Sequence, residues 1–556
     1  MLKETGDLMS KTVSTLTCLA VVWAVALSVS SAWACTSILV SKGASADGSV
    51  IITYACDGEF HPHLRIMPAA DYEPGEMLKI EDWSGNIRGE IEQVEHTYKV
   101  VGLMNEHQLA IGESTFGGRE DLHNPGAMLH YWDLMRLSLQ RAKTAREAIT
   151  VMTELVAKYG YRSLGESISI ADPNEVWFME IIGPGPDGEG AHWVARRIPE
   201  GYISCHANKA RIGEFPLDDP DSCLYSDNVI SFAIEKGYYD PKSGEPFRFC
   251  DAYCPSTPGN QRWGDTRVWS IFRRAAPSRN FSADYHRAVQ GAVPYPLWIA
   301  PDKKLSAGDV FSLMRDHYEG TDYDLTAGTD SGPYGSPYRY RPLDWSVDGS
   351  TCAWERPIST QQTGFSFVSQ SRSWLPDPVG GVYWYGVDDT FTTCYVPLYC
   401  GITDVPPSYT VGRLQEFSWD SAWWVFNFVA NYAQLRYSAM VKDVQDVQGR
   451  LEETFFVMQP AVERTAIELN KLDPTMAGRY LTDYSVSRGE NVVLQWRELA
   501  GHLLTKYNDG FVKNEEGRPQ EVGYPETWLR SLLSQHPDRF HVEVTDDSVP
   551  ASRLVD

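Results

Sequence analysis

Cys35 is placed where it could do chemistry, at the junction between an apolar leader and a β-type segment. Residues 19–27 are apolar, and Ala32-Trp33-Ala34 satisfies the small-x-small rule for signal peptidase. Cleavage there makes Cys35 the first residue of the mature chain. The same residue then carries a thiol and an α-amine, whose ordinary pKa is about 7.7–8.0 and which can act as a base. The junction predicts a nucleophilic cysteine that needs no separate histidine.

Two other interpretations of residues 1–34 stay open. The segment could remain attached as an anchor, although its apolar run is short for a membrane span. It could be a lipoprotein signal that leaves Cys35 acylated, in an extracellular binding protein. Such signals usually carry Leu where this chain has Ala32. We favour a cleaved signal peptide over 1–34, which predicts a secreted or periplasmic protein without stable membrane insertion.

The elements beside Cys35 predict which groups reach it. Residues 35–40 and 50–54 have the composition of β-strands, and Asp47-Gly48 between them is a pair that tight turns favour. This hairpin would bring Asp57 back towards Cys35, where a carboxylate can orient the amine. The alternative for Asp57 is an ordinary surface carboxylate.

The chain beyond this hairpin predicts sheets covered by helices, which is an α+β layout. Residues 98–112 are expected to form a second hairpin, and 167–171 with 176–180 a third. Helical periodicity covers 126–158, with a fresh helix start at Thr144. Three more helices are expected nearer the C-terminus, at 419–448, about 450–471 and about 488–507.

The net charge and the cysteine count indicate which partners and which cross-links to expect. The formal net charge is −25, and Lys3, Lys11, Glu4 and Asp7 cancel within the leader, so the mature chain keeps this charge. An acidic protein of this kind is not expected to bind nucleic acid. Eight cysteines besides Cys18 and Cys35 permit disulfides in an exported protein, but their pairing cannot be read from the sequence. A homo-oligomer is compatible with the sequence.

Several blocks of sequence, in order, resemble the dipeptidases of peptidase family C69. The blocks are CTSILV at 35–40, with Asp47-Gly48-Ser49 and Asp57 after it, GLMNEHQLAIGE at 102–113, TAREAI at 144–149, IADPNEVW at 170–177, GGVYWYG at 380–386 and DSAWWVFN at 420–427. The resemblance runs from Cys35 to about residue 450. It implies a cysteine-type N-terminal nucleophile (Ntn) hydrolase that cleaves small peptides without a metal or cofactor.

The resemblance also implies the fold and the domains. The fold is expected to be a four-layer αββα sandwich with additional C-terminal helices. The expected divisions are a signal peptide over 1–34, a catalytic core over 35–415, a helical region packed on it over 416–510, and a polar segment over 511–556. Another Ntn amidase activity, on acyl amides such as penicillin V or bile-salt conjugates, is the alternative function.

Carried over residue by residue, the resemblance assigns roles near Cys35. Cys35 is the nucleophile, and Asp57 orients or charge-balances its amine. Asn208 provides the oxyanion hole, with Asn105 as a second candidate. Each asparagine has a simpler alternative: Asn105 could satisfy its own turn, and Asn208 could cap a helix.

One position departs from the family pattern. Many relatives have arginine where this chain has Tyr54, close to the catalytic thiol. Arg211 or another arginine could supply the missing charge, or Tyr54 could act as a hydroxyl donor. We therefore predict Tyr54 and Arg211 as substrate-binding residues. Cys56, beside Asp57, is a candidate disulfide partner near the site.

Overall fold

The computed structural model describes residues 34–541. The strands of this part of the chain are β1 (Ala34–Val40), β2 (Val50–Asp57), β3 (Ile66–Met67), β4 (Ala70–Asp71), β5 (Met77–Glu81), β6 (Ile87–Glu92), β7 (His96–Thr97), β8 (Val100–Val101), β9 (Met104–Asn105), β10 (Ala110–Gly117), β11 (Gly165–Ala171), β12 (Val176–Ile182), β13 (His192–Arg197), β14 (Ile203–His206), β15 (Cys223–Tyr225), β16 (Trp298–Ile299), β17 (Asp344–Val347), β18 (Ser350–Ala353), β19 (Thr363–Ser371), β20 (Val382–Val387), β21 (Val396–Tyr399), β22 (Val512–Lys513) and β23 (Pro519–Gln520). Its α-helices are α1 (Tyr131–Arg141), α2 (Ala145–Tyr159), α3 (Val229–Glu235), α4 (Phe249–Tyr253), α5 (Pro258–Asn260), α6 (Thr266–Ala275), α7 (Ala307–Met314), α8 (Asp377–Gly380), α9 (Ala422–Ala433), α10 (Tyr437–Leu472), α11 (Pro474–Tyr507) and α12 (Glu526–Gln535).

Strand β1, which begins just before Cys35, lies inside the first large sheet. Within residues 34–541 the order of this sheet is β16-β14-β1-β2-β19-β20-β21. Strands β1 and β2 pair antiparallel, so the predicted hairpin is confirmed, and Cys35 lies opposite Cys56. All eight residues of β2 are buried, because other structure covers both faces of the strand.

The second large sheet faces the first. Within residues 34–541 its order is β15-β13-β12-β11-β10-β9-β8-β3. Strands β1 and β2 contact β10 and β11, and the side chains between the two sheets form a common core. The predicted pairing of 167–171 with 176–180 is confirmed as β11 with β12. The predicted hairpin over 98–112 is instead three strands, because Gly102, at φ +58°, turns the chain between β8 and β9.

Helices contact both sheets, which confirms the α+β class. Helices α1 and α2 contact β10 and β11, while α6, α7 and α11 contact β14, β19 and β21. The helix start predicted at Thr144 is also confirmed, because its hydroxyl accepts a hydrogen bond from the backbone N–H of Glu147. Such a cap satisfies one of the backbone donors that a helix leaves unpaired at its start.

The C-terminal helices begin and end at other residues than the sequence predicts. The expected helix over 419–448 ends at Ala433, and a short turn over 434–436 separates it from α10. Helix α10 then continues through the boundary expected near 449, because Val444, Gln448 and Glu452 keep one buried face at helical spacing. Helix α11 begins earlier than expected, at Pro474, where the Asp473 side chain accepts from the N–H of Thr475.

Two further properties concern membranes and thiols. Among residues 34–541, the helices lack an apolar stretch of the length that a bilayer requires. All nine cysteines in this part of the chain are free thiols, including Cys35 and Cys56. The structure therefore contains none of the disulfides that the cysteine count permits within the described residues.

Asp388 predicts a pH dependence of stability that is separate from Cys35. Its side chain is buried, Oδ1 accepts a hydrogen bond of 2.9 Å from Asn427, and Oδ2 has no hydrogen-bond partner among the described residues. Burial, followed by the charge of Asp389, raises the pKa of Asp388 to about 8. An acid with a raised pKa in the folded state stabilises the fold at low pH and loses this contribution as the pH rises through its folded pKa.

We expect Asp388→Asn to be more stable than the wild type at pH 8 and close to it at pH 4. Asparagine has the same shape, carries no charge and tolerates the φ of +65° at this position. The gap in unfolding free energy should grow by up to about 1.4 kcal/mol for each pH unit between about 4 and 8. Urea unfolding at both pH values measures this gap.

Asp389→Asn is the control. It should lower the free energy of unfolding at both pH values, because Asp389 accepts hydrogen bonds from Tyr338, Ser359 and Phe391. A pH-independent gap for Asp388→Asn would contradict the prediction.

Candidate active site

The thiol of Cys35 lies between the two sheets, at the start of β1. Its side chain is 1% exposed, and Sγ lies 3.5 Å from Glu113 Oε1 and 3.8 Å from the Tyr54 hydroxyl. Burial raises the pKa of this thiol above its ordinary value, and contact with Cys56 and the charge of Glu113 raise it further. The thiol is therefore neutral in this environment, and it needs a nearby base before it can act as a nucleophile.

The backbone nitrogen of Cys35 is held by Asn208. Cys35 N donates a hydrogen bond of 3.0 Å to Asn208 Oδ1, and Asn208 Nδ2 donates one of 2.6 Å to the carbonyl oxygen of Thr115. Asn208 lies in a turn after β14, with a φ of +55°, and does not cap a helix. Asparagine visits this left-handed region more readily than most residues. The turn thus fixes an amide between β1 and β10.

Two buried arginines, from distant parts of the chain, meet at Asn208. Arg267 of α6 donates to the Cys35 carbonyl oxygen at 2.8 Å and to Asn208 Oδ1 at 2.9 Å. Arg356 donates to the same Oδ1 at 3.0 Å. Burial, followed by repulsion from Arg356, lowers the pKa of Arg267 to about 9, so it remains a cation at neutral pH. Many relatives have an arginine at the position of Tyr54. In this chain Arg267 and Arg356 place positive charge beside Cys35 instead, which fits the alternative that another arginine supplies it.

Asp57 is joined to this network through Arg356. Its carboxylate accepts from Arg356 Nη2 at 2.6 Å and from the Thr363 hydroxyl at 2.7 Å. Burial raises the pKa of Asp57 to about 6, although the charge of Arg356 lowers it. Asp57 is therefore mostly ionised above neutral pH. Asp57 is linked to Cys35 N through Arg356 and Asn208. Because it is buried, it is not the surface carboxylate of the alternative interpretation.

Tyr54 and Glu113 form the wall on the other side of the thiol. The Tyr54 hydroxyl donates to Glu113 Oε1, and its ring packs edge-on against Phe365. Burial raises the pKa of Tyr54 well above its usual range, so it is a neutral hydroxyl. This position fits the hydroxyl-donor alternative. The sequence assigned no role to Glu113, although it ends the block GLMNEHQLAIGE.

Two predicted site residues have other tasks in the structure. Both hydrogens of the Asn105 side-chain amide are taken, at 2.8 Å by the carbonyl oxygen of Leu139 and at 2.7 Å by that of Ala142. Asn105 thus serves the carbonyls that α1 leaves unpaired at its end, and neither amide hydrogen is left for the predicted role as oxyanion donor. The Arg211 guanidinium donates to backbone carbonyls of Cys205 and Pro296. These contacts brace the backbone and do not include Cys35, and substrate binding by Arg211 stays a prediction.

The site is built from side chains without a metal-binding cluster. Residues 34–541 contain no group of three or more His, Cys, Asp or Glu side chains that could hold a metal ion. Cys56 lies directly opposite Cys35 in the β1–β2 pair, but both are free thiols in the structure.

Comparison with known proteins places these residues in a family. The sequence model of peptidase family C69 matches residues 66–450, which is more than half of the chain. The chain belongs to peptidase family C69. It is therefore a hydrolase of peptide bonds. Asn208, Arg267 and Arg356 lie inside the matched segment, whereas Cys35 and Asp57 precede it.

Curated members similar to this C69 chain carry related names. A probable dipeptidase of Salmonella dublin is 26% identical over 403 residues, which cover 68% of this chain and 84% of that protein. A probable dipeptidase of Latilactobacillus sakei is 25% identical over 439 residues, covering 76% and 85%. Probable dipeptidase A of Streptococcus pyogenes serotype M3 is 24% identical over 501 residues, covering 85% and 98%. The similarity extends over most of the length of each relative.

Proposed function

We propose that the chain is an exported cysteine dipeptidase whose mature N-terminus is Cys35. The observation that carries the proposal is the 3.0 Å hydrogen bond from Cys35 N to Asn208 Oδ1, next to a buried thiol. The names of the relatives support small peptides as substrates. The two facing sheets, with helices on each, support the finer fold assignment, a four-layer αββα sandwich of the Ntn type.

Removal of residues 1–34 would change the chemistry of one nitrogen. In the described chain, Cys35 N is a peptide N–H that points at Asn208. After cleavage the same nitrogen is an α-amine, which Asn208 Oδ1 can hold in the same place. The free amine takes the proton of the thiol, and the thiolate attacks the carbonyl carbon of the peptide bond. This step needs the amine as a neutral base, and the nearby cations Arg267 and Arg356 favour that form.

The tetrahedral intermediate carries a negative oxygen, for which Asn208 is the proposed donor. Nδ2 donates to Thr115 O beside Cys35, which places an amide donor next to the reacting carbonyl group. The ammonium of Cys35 then gives its proton to the leaving amine, and the carbon–nitrogen bond breaks to leave a thioester. Water attacks the thioester with the same amine as base. The acid product leaves, and the thiol is restored.

The experiment that tests this function combines the mature N-terminus with a substrate panel. The full chain is expressed in a bacterium that exports proteins, and the purified product is examined by intact-mass measurement. We expect a mass that begins at an unmodified Cys35 and hydrolysis of unblocked dipeptides. A diacylglyceryl Cys35, or an active chain that retains residues 1–34, would refute the mechanism. Cleavage of penicillin V or bile-salt conjugates, but not of dipeptides, would refute the substrate class.

A further inference from the structure

Two glutamates of the second sheet lie on the face that is turned towards Cys35. Glu166 on β11 is directly opposite Thr115 on β10, and Glu113 is two residues before Thr115. Because side chains two residues apart share one face of a strand, Glu113 and Glu166 are diagonal neighbours. Their side chains are 0% and 1% exposed. The chain therefore buries two acids behind its nucleophile.

Each of the two acids has a carboxyl oxygen that accepts no hydrogen bond from an N–H or O–H group of the described residues. Glu113 Oε1 accepts from the Tyr54 hydroxyl and faces Cys35 Sγ, while Glu166 Oε1 accepts from the Thr115 hydroxyl at 2.9 Å. The two carboxyl groups contact each other. Apart from that contact, neither Oε2 accepts an N–H or O–H from another described residue. Within residues 34–541, neither acid forms an ion pair with a lysine, arginine or histidine.

The pair should carry one negative charge, and it should lie on Glu113. Two buried carboxyl groups in contact cannot both ionise near neutral pH. Burial raises the pKa of Glu113 to about 7, and it raises that of Glu166 further, with repulsion from Glu113 added. The donors Tyr54 and Cys35 favour the ionised form of Glu113. A buried anion of this kind is costly unless a cation pairs with it.

We propose that Glu113, supported by Glu166, binds the α-ammonium group of the peptide substrate and so selects peptides with a free N-terminus. The proposal rests on the proposed dipeptidase function and names the group that this site recognises. Glu166 holds a proton and keeps the charge on Glu113. Thr115 and Asn208 are half-buried, so the proposal has the peptide approach from their side.

The distances fit attack on the first peptide bond. In a reactive complex the carbonyl carbon lies about 3–3.5 Å from Sγ. The α-nitrogen of the same residue is about 2.5 Å from that carbon, from standard backbone dimensions. Glu113 Oε1 is itself 3.5 Å from Sγ, so an α-ammonium can reach it at about 2.8 Å. An amine one residue further away lies about 6 Å from the carbonyl carbon in an extended peptide, and it reaches Glu113 only if the peptide folds back. The site therefore assigns cleavage to the bond after the first residue.

The test compares two substrates that differ by one amino group. L-Alanyl-L-alanine has the α-ammonium group, and propionyl-L-alanine has the same scissile bond without it. We expect the wild type to prefer the dipeptide by about 10- to 100-fold in kcat/KM, as a charged hydrogen bond provides. In Glu113→Gln the preference should fall to near one. Glu166→Gln tests the second part of the proposal, because its amide resembles a protonated acid: the preference should remain if the charge lies on Glu113 and should be lost if it lies on Glu166.

The outcomes separate this proposal from the function on which it rests. If the wild type cleaves neither substrate, the dipeptidase function fails. If the wild type cleaves both equally well, the ammonium site is refuted, and this holds even if Glu113→Gln does not fold. If Glu113→Gln slows both substrates by the same factor, Glu113 acts on Cys35 and not on the substrate amine, which also refutes the proposal.

Discussion

Replacing Cys35 with alanine is expected to reduce kcat/KM for dipeptides by at least about 10⁴-fold, because it removes the nucleophile of the proposed mechanism. The variant should fold, since alanine occupies less space at a residue that is 1% exposed and forms the same backbone hydrogen bonds. Steady-state hydrolysis of L-alanyl-L-alanine measures the loss. Thermal unfolding shows whether the variant keeps the wild-type fold.

A second buried cysteine provides the matched control for Cys35. Cys223 is also buried as a free thiol, but it lies on β15 at the edge of the second sheet and contacts none of the groups around Cys35. Cys223→Ala should retain activity within a factor of about three, because substitutions away from functional groups have small effects. If Cys35→Ala retained dipeptide hydrolysis, the assignment of the nucleophile would be wrong.

Replacing Asn208 with glycine is expected to lower kcat by about 10²- to 10³-fold, as the loss of a preorganised donor does elsewhere. The substitution removes Oδ1, which holds Cys35 N, and Nδ2, which is the proposed oxyanion donor. Glycine accepts the φ of +55° without strain, so the loss can be ascribed to the side chain and not to the backbone. Single-turnover acylation with a dipeptide measures the effect on the chemical step.

Asn208→Asp distinguishes the two tasks of the side chain. Aspartate also tolerates a left-handed backbone and keeps an oxygen acceptor for Cys35 N, but it cannot donate to an oxyanion. If the donor matters, Asn208→Asp should be as slow as Asn208→Gly. If only the acceptor matters, it should be clearly faster than Asn208→Gly. Near-wild-type rates for both variants would contradict any role for Asn208 in the reaction.

Local sequence patterns were sufficient to predict the two strands that carry Cys35 and Asp57. Alternating residues and a turn pair predicted β1 and β2, and their antiparallel pairing places the two residues near each other. The same kind of signal located Asn208 just after β14. These predictions succeed because the groups lie close to one hairpin or to a strand end that the sequence marks.

The arginines and Glu113 could not be assigned from the sequence, because their roles come from contacts between distant segments. Arg267 is 232 residues from Cys35 along the chain, and Arg356 is 299 residues from Asp57. No local motif marks either arginine. Asn105 shows the opposite case: its turn suited an active-site asparagine, but the end of α1 uses its amide. Only the packing of α1 on the second sheet reveals that choice.

The position of Ala34 within β1 has a consequence for the timing of maturation. Ala34 pairs with Asp57 and Cys35 pairs with Cys56, so the bond between Ala34 and Cys35 belongs to a strand that is already paired with β2. Peptidases cut chain that is extended and accessible, not chain that is paired inside a sheet. If the leader is removed as proposed, the cut precedes the pairing of β1. A chain that folded first would be kinetically trapped as an inactive precursor, so translocation, cleavage and folding would have to follow one another in that order.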